Sequence, residues 1–380
     1  MKIAGDWLAH PGTQGLMQAL EAAGHKALFV GGCVRNALMA VPVSDIDIST
    51  DAPPETVSDL AEAAGFKPVP TGIDHGTVTV VAEGKPHEVT TFRRDVETDG
   101  RRAVVAFSTR IEEDAQRRDF TMNALYADRH GHVIDPLNGL PDLQSRRVRF
   151  VGDPETRIRE DYLRILRFFR FHATYGDPDQ GLDPEGLAAC AALAEGLDGI
   201  SKERITAELR KLLSARDPAP AVAAMAQSGI LTRILPGSDP RVLAPLIHLD
   251  GAEPPHWLRR LSVLGGETAD LRLSKAEARD LAALRAALGT SETPAVLGFT
   301  LGAPLATDAL LARAASLGGH TPKDWQSETR RGAKARFPVT AADLMPALQG
   351  EALGARLKDL EARWLASDLT LSRDDLLKGA

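Results

Sequence analysis

The sequence predicts an α+β N-terminal part, with a small mixed β-sheet flanked by helices, followed by an all-α remainder. Short apolar and β-branched runs with period-two alternation lie before Asp153. From Asp153 onward apolar residues recur at helical spacing almost to the last residue, with no further convincing strand. The 380 residues exceed one ordinary hydrophobic core, so the chain divides into roughly two to four domains.

Gly15 to Gly24 reads as an amphipathic helix closed by glycine, leading into a strand at Ala27–Val30. Gly31-Gly32 follows that strand, and a helix-compatible segment opens directly after it. Glycine there lets a phosphate approach the backbone, the new helix's free N–H groups favour an anion, and Arg35 offers a charged fork to the same phosphate. In Asp45-Ile46-Asp47-Ile48, strand alternation sends both isoleucines to one face and both carboxylates to the other. Two carboxylates on one exposed face are hard oxygen ligands suited to Mg²⁺. Taken alone, such a pair also fits a solvated sheet edge.

Pro53 to Gly65 reads as a helix with prolines in its first turn and glycine as its stop. Thr77–Val81 and His87–Phe92 are alternating β-branched runs joined by Glu83-Gly84-Lys85-Pro86, and read as a hairpin. Glu88, on its second strand, is either a surface glutamate or a third carboxylate beside Asp45 and Asp47. Asp95 to Arg102 is polar and loop-like, with a turn expected at Asp99-Gly100. Asp153 is expected as an N-cap with Pro154 at the first helical position, and Ile158, Tyr162, Ile165, Leu166 and Phe169 then line one helical face.

The composition is that of a soluble globular protein, 43% hydrophobic and 26% charged. The two cysteines, Cys33 and Cys190, lie far apart with no zinc-like cluster, so neither a disulfide framework nor a zinc site is expected. No signal-like N-terminus and no bilayer-length apolar run is present, and a cytoplasmic location without a membrane partner is expected. A net charge of −7 argues against nucleic acid, but its distribution matters more. Arg146, Arg147, Arg149, Arg157, Arg159, Arg164, Arg167 and Arg170 crowd one segment, which reads either as a solvated helix face or as a basic surface for phosphates.

Gly-Gly-x-Val-Arg followed by Asp-x-Asp resembles the nucleotidyltransferase superfamily. Arg117-Arg118-Asp119-Phe120-Thr121-Met122-Asn123-Ala124-Leu125-Tyr126 and Glu160-Asp161-Tyr-Leu-Arg164 are similar to signatures of the bacterial class of CCA-adding enzymes and poly(A) polymerases. One position departs: the family usually has Asp after Val-Arg, and this chain has Asn36, which keeps a hydrogen bond but not the charge. The resemblance implies a nucleotidyltransferase head at residues 1–143 and a helical neck at 144–218. It also implies a body at 219–325 and an RNA-binding tail at 326–380, where Arg330, Arg331, Lys334 and Arg336 supply cations. It makes Glu88 the third acidic ligand with Asp45 and Asp47 for two Mg²⁺ ions, and assigns nucleotide contacts to Gly31, Gly32, Arg35, Arg118, Asp119 and Asn123. The resemblance further implies a flexible loop at 95–102, which CC-only members of the family shorten, so its presence favours an enzyme able to add the terminal A.

Asp161 and Arg164, three apart on one helix, are either an ordinary ion pair or the base-reading pair that the resemblance implies, with Arg167 supporting the base or the RNA end. Cytosine and adenine both present an amine beside an unprotonated ring nitrogen, whereas uracil and guanine present a carbonyl beside an N–H. A carboxylate and a guanidinium therefore suit CTP and ATP. Glu203, Arg204 and Glu208 resemble a helix that stiffens this template. The expected function is addition of CCA to the 3′ end of tRNA, with no DNA partner. The alternatives are a poly(A) polymerase and a non-catalytic RNA-binding protein that kept the fold.

Overall fold

The computed structural model describes residues 1–73, 76–99, 102–251 and 253–378. The chain forms two compact units, one of Met1–Arg204 with Ser228–Ile230, the other of Ile205–Gln227 with Leu231–Ala380.

The first unit is built on a mixed sheet of seven strands. They are β1 (Ala27–Val30), β2 (Asp47–Thr50), β3 (Lys67–Gly72), β4 (Thr77–Ala82), β5 (Lys85–Thr91), β8 (Tyr126–Ala127) and β9 (Val133–Ile134). Their order is β3-β4-β5-β2-β1-β8-β9, and only β2 and β5 run parallel. A separate antiparallel ribbon pairs β6 (Arg93–Asp99) with β7 (Arg102–Phe107). The period-two runs account for β1, β4 and β5. The β4–β5 turn is shorter than the sequence suggests: Ala82 pairs with Lys85, leaving Glu83 and Gly84 at φ 48° and 79°, the left-handed pair that a two-residue hairpin requires.

β3 is not legible in the sequence: Pro68 and Pro70 argue against a central strand, and the strand sits at the sheet edge, where proline is tolerated. The polar stretch expected as a loop at 95–102 is instead largely ribbon, and the Asp99-Gly100 turn falls on residue 100, outside the described residues. Helix Pro11–Ala22 buries Leu16, Met17 and Leu20. It comes so close that a Cβ at Gly12 would lie 2.6 Å from the Ala82 carbonyl oxygen.

Asp153 caps helix Pro154–Glu160 by accepting from the Thr156 N–H at 2.8 Å. The single helix expected through Phe169 is broken, however. Asp161 is extended (φ −157°, ψ 103°), and a new helix runs from Leu163 to Tyr175. Phe168, Phe169 and Phe171 of this helix are buried, and an aromatic cluster ties it to the Phe120 block. Ring centroids lie 4.9 Å apart for Phe120–Phe171, 5.0 Å for Phe120–Phe150 and 5.4 Å for Phe150–Phe168. Asp142 accepts from Thr121 Oγ1 at 2.7 Å and from Arg149 Nε at 2.9 Å, which closes this block from below.

The second unit is helical, with a buried ion cluster at its centre. Arg259 and Arg260, 2% and 1% exposed, face Asp250 and Asp308. Arg260 also donates to the Leu213 and Arg216 carbonyls at 2.7 and 3.1 Å. Two cations against two carboxylates leave no unmatched charge, which burial at this depth demands. Among the described residues no helix is long and apolar enough to cross a membrane.

Candidate active site

Asp47 stands at the middle of the sheet. On one side Phe29 of β1 lies opposite Ile48. On the other, Asp47 itself is the register partner of Glu88 on parallel β5. Ile46 and Ile48 are 6% and 0% exposed, while Asp45 and Glu88 are exposed and Asp47 is half-buried. The period-two pattern thus separates apolar from acidic side chains. Asp45, Asp47 and Glu88 line one cleft of about 310 Å³, together with Thr79 and Lys85. Burial pushes the Asp47 carboxyl up to about 6; Glu88 and Asp45 add to the shift, while Arg118 and Arg35 oppose it.

This donor set fits Mg²⁺, a hard cation usually held by one or two carboxylates and completed by substrate phosphates and water. Among the described residues no three His, Cys, Asp or Glu side chains are gathered closely enough to hold a metal ion by themselves, and the three carboxylates line an open cleft. Cys33 lies in the helix Gly32–Leu38, with Sγ 3.7 Å from the Asp47 carbonyl oxygen. Burial pushes its thiol up to about 11, so it stays protonated and unsuited to a metal.

Gly31 ends β1 at φ 69°, a conformation that favours glycine, and caps helix Gly32–Leu38. A Cβ at Gly31 would meet Arg118 Nη1 at 3.3 Å. Arg118 donates from Nη2 to Asp114 Oδ2 at 2.9 Å and to Ser49 Oγ at 3.3 Å, and from Nε to the Tyr126 hydroxyl at 3.1 Å. Asp114, Tyr126 and Ser49 therefore aim Arg118 at the glycine turn. The sequence reading missed Asp114, Tyr126 and Ser49 as partners of Arg118; only the Asp114–Arg118 spacing of four is a signal that could have found one of them.

Arg35, expected as an open phosphate fork, is buried and donates to Asn36, Asn123 and Tyr175. Asn36 uses both ends of its amide: Oδ1 accepts from Arg35 Nη2 at 2.9 Å, and Nδ2 donates to the Pro42 carbonyl at 2.9 Å. A carboxylate makes only the first of these bonds. Asp119 and Asn123, 8% and 7% exposed, also point inward. Asp119 accepts from Asn123 Nδ2 and the Phe120 N–H, each at 2.8 Å, and from Arg167 Nε at 2.9 Å. Burial alone would push the Asp119 carboxyl up, but Arg167 and these donors hold it down at about 2.

Asp161 and Arg164 are not the side-chain pair that one continuous helix would make. Asp161 Oδ2 accepts from Arg204 Nη2 at 2.6 Å, while Arg164 pairs with Glu160 and donates to the Arg157 carbonyl at 2.7 Å. The break at Asp161 separates the two side chains. Asp161 and Arg204 line a cavity of about 540 Å³ with Tyr162 and Gly196, and Arg164 does not line it. The Asp161 carboxylate remains 30% exposed, with acceptor capacity to spare. The arginine-rich segment is largely neutralised within the unit: Arg147 pairs with Asp183, Arg149 with Asp142, Arg157 with Glu160, Arg159 with Glu155 and Arg167 with Asp119.

Residues 27–149 match the family model described as the poly A polymerase head domain, and residues 181–241 match that described as a probable RNA and SrmB-binding site of polymerase A. Over 203 residues the chain is 43% identical to CCA tRNA nucleotidyltransferase 1, mitochondrial, of Homo sapiens, a match covering 53% of this chain and 47% of that protein. It is 40% identical over 248 residues to the CCA-adding enzyme of Geobacillus thermodenitrificans, covering 65% and 56%. The chain thus spans about half the length of these curated relatives. The crystal structure of Bacillus stearothermophilus CCA-adding enzyme in complex with CTP superposes with a TM-score of 0.74 at 30% identity, over 94% of this chain and 93% of that one. The Thermotoga maritima CCA-adding enzyme complexed with tRNA shares the fold, with a TM-score of 0.71 at 18% identity over 96% and 93%. The chain belongs to the family of poly(A) polymerase-type and CCA-adding nucleotidyltransferases.

Proposed function

We propose that this chain adds or repairs the 3′-terminal CCA of tRNA, using CTP and ATP. The observation that carries the chemistry is the register pairing of Asp47 with Glu88 across parallel strands, with Asp45 on the same cleft. On this reading Asp45, Asp47 and Glu88 hold two Mg²⁺ ions. When bound, these ions would activate the RNA 3′-hydroxyl and neutralise the leaving pyrophosphate in an in-line displacement. Gly31 and Gly32 let the triphosphate approach the backbone, and Arg118 presents its charge beside them. Asp119 and Asn123 act from beneath by fixing Arg167 and Arg35.

Choice of base falls to Asp161 and Arg164. Arg204 holds the Asp161 carboxylate, leaving it able to accept from the exocyclic amine of cytosine or adenine, and Arg164 would donate to the ring nitrogen only on leaving Glu160 and the Arg157 carbonyl. The similarity to an enzyme solved with CTP supports the nucleotide, and the names of the relatives support tRNA as acceptor.

The test uses Mg²⁺, one labelled NTP at a time, and tRNA ending before CCA, at CC or at CCA, with a generic RNA alongside. C added to the first and A to the second supports the reading. Long A tails on any RNA would make the chain a poly(A) polymerase, and no transfer would leave an RNA-binding protein.

A further inference from the structure

Arg35 is 6% exposed and lies in the helix that opens behind Gly31-Gly32. Its hydrogen bonds go to three neutral side chains. Nη1 donates to Asn123 Oδ1 at 2.5 Å, Nε and Nη2 to Asn36 Oδ1 at 3.2 and 2.9 Å, and Nη2 to the Tyr175 hydroxyl at 2.7 Å. The Tyr175 ring also faces the guanidinium, with its centroid 4.0 Å from Cζ, and the Phe171 ring lies at 5.2 Å. Buried arginines are ordinarily matched by a carboxylate. Here Asp119 is held off behind Asn123, whose Nδ2 donates to it, and its charge is already taken by Arg167. Arg35 is therefore kept in place by dipoles and ring faces, and among the described residues no ion pair cancels its charge.

We propose that Tyr175 is a positioning residue for the nucleotide site: its hydroxyl and ring hold the Arg35 guanidinium as an uncancelled positive charge behind the glycine turn, where it favours a polyphosphate. This deepens, and rests on, the nucleotidyltransferase reading above. The nitrogen that Tyr175 engages, Arg35 Nη2, is the one nearest the turn, 3.8 Å from where a Cβ on Gly32 would stand. Tyr175 comes from the last residue of helix Leu163–Tyr175, 140 positions away in the chain, so one side chain couples the helix after Asp161 to the glycine turn.

The experiment compares the full chain with Tyr175→Phe, which keeps the ring on Phe171, and Tyr175→Leu, which loses ring and hydroxyl. Steady-state transfer to tRNA lacking CCA gives kcat and separate KM values for nucleotide and tRNA, and calorimetry without RNA gives the affinity for inorganic tripolyphosphate. The expected result for Tyr175→Phe is a rise of about threefold to tenfold in KM for both CTP and ATP, with a matching loss of tripolyphosphate affinity. Its kcat and tRNA KM stay within about twofold, and Tyr175→Leu is affected more strongly. Weakened tripolyphosphate binding in Tyr175→Phe supports the proposal even if the parent chain transfers no nucleotide, an outcome that sinks only the activity reading. Unchanged tripolyphosphate affinity beside normal parental transfer overturns the proposal alone, as does a tRNA KM that moves as far as the nucleotide KM.

Discussion

Replacing Asp47 by asparagine isolates the electrostatic cost of gathering three carboxylates in one cleft. In the folded chain burial, reinforced by Glu88, raises this carboxyl from 3.8 to about 6. A raised carboxyl contributes stability that is fully present below about pH 4 and is lost as the pH climbs through 6, because the folded state holds the proton longer than the unfolded chain does. Above pH 7 the ionised, half-buried Asp47 therefore costs up to about 3 kcal/mol. Asp47→Asn removes the charge with little change in shape. Without metal at pH 8 the variant should be more stable than the parent by up to about 3 kcal/mol, and the gap should close near pH 4. Urea unfolding in EDTA at both pH values measures this. Mg²⁺ should then stabilise the parent and leave the variant nearly unmoved, since only the parent keeps the full ligand set. A metal-free variant less stable than the parent at pH 8, or a difference that does not change with pH, would refute the reasoning.

Asp161→Ala should retain phosphoryl transfer while its preference for CTP and ATP over UTP and GTP falls by about 1–3 kcal/mol of discrimination. Arg204→Met should show a weaker version of the same loss, and single-nucleotide incorporation that stays selective in both would remove the base-reading role. Asp119→Asn breaks a buried pair with Arg167 and should cost about 3 kcal/mol in urea unfolding. Because Asp119 is held at about 2, its contribution is present above pH 4 and lost only as the pH falls through 2, so the cost should be equal at pH 5 and pH 8. Gly31→Ala places a side chain at φ 69° and against Arg118; about 1–2 kcal/mol of stability should be lost, with a rise in nucleotide KM. A silent Gly31→Ala would mean that the turn does not constrain Arg118.

What was legible in the sequence is what local geometry controls. Strand alternation placed Ile46 and Ile48 inward and Asp45 and Asp47 outward, and the β-branched hairpin put Glu88 on a strand where one register brings it to Asp47. Patterns that proline or polarity disguises were missed: the edge strand carrying Pro68 and Pro70, and the ribbon at 93–107. The break at Asp161 was hidden because Tyr162, Ile165 and Phe169 keep helical spacing through it, and with it went the expected Asp161–Arg164 neighbourhood. Least legible were the partners of buried charges. Arg35 reaches Asn123 and Tyr175 across 88 and 140 positions, and Arg147 reaches Asp183 across 36, contacts that only the assembled core determines.

The most direct measurement is the sequence of the 3′ end made on tRNA lacking CCA, in Mg²⁺ with all four NTPs present. The expected product is C, then C, then A, followed by arrest, with no product when Asp45 or Asp47 is replaced by alanine. A run of A residues, incorporation of U or G at parental rates, or turnover that survives loss of either aspartate would contradict it.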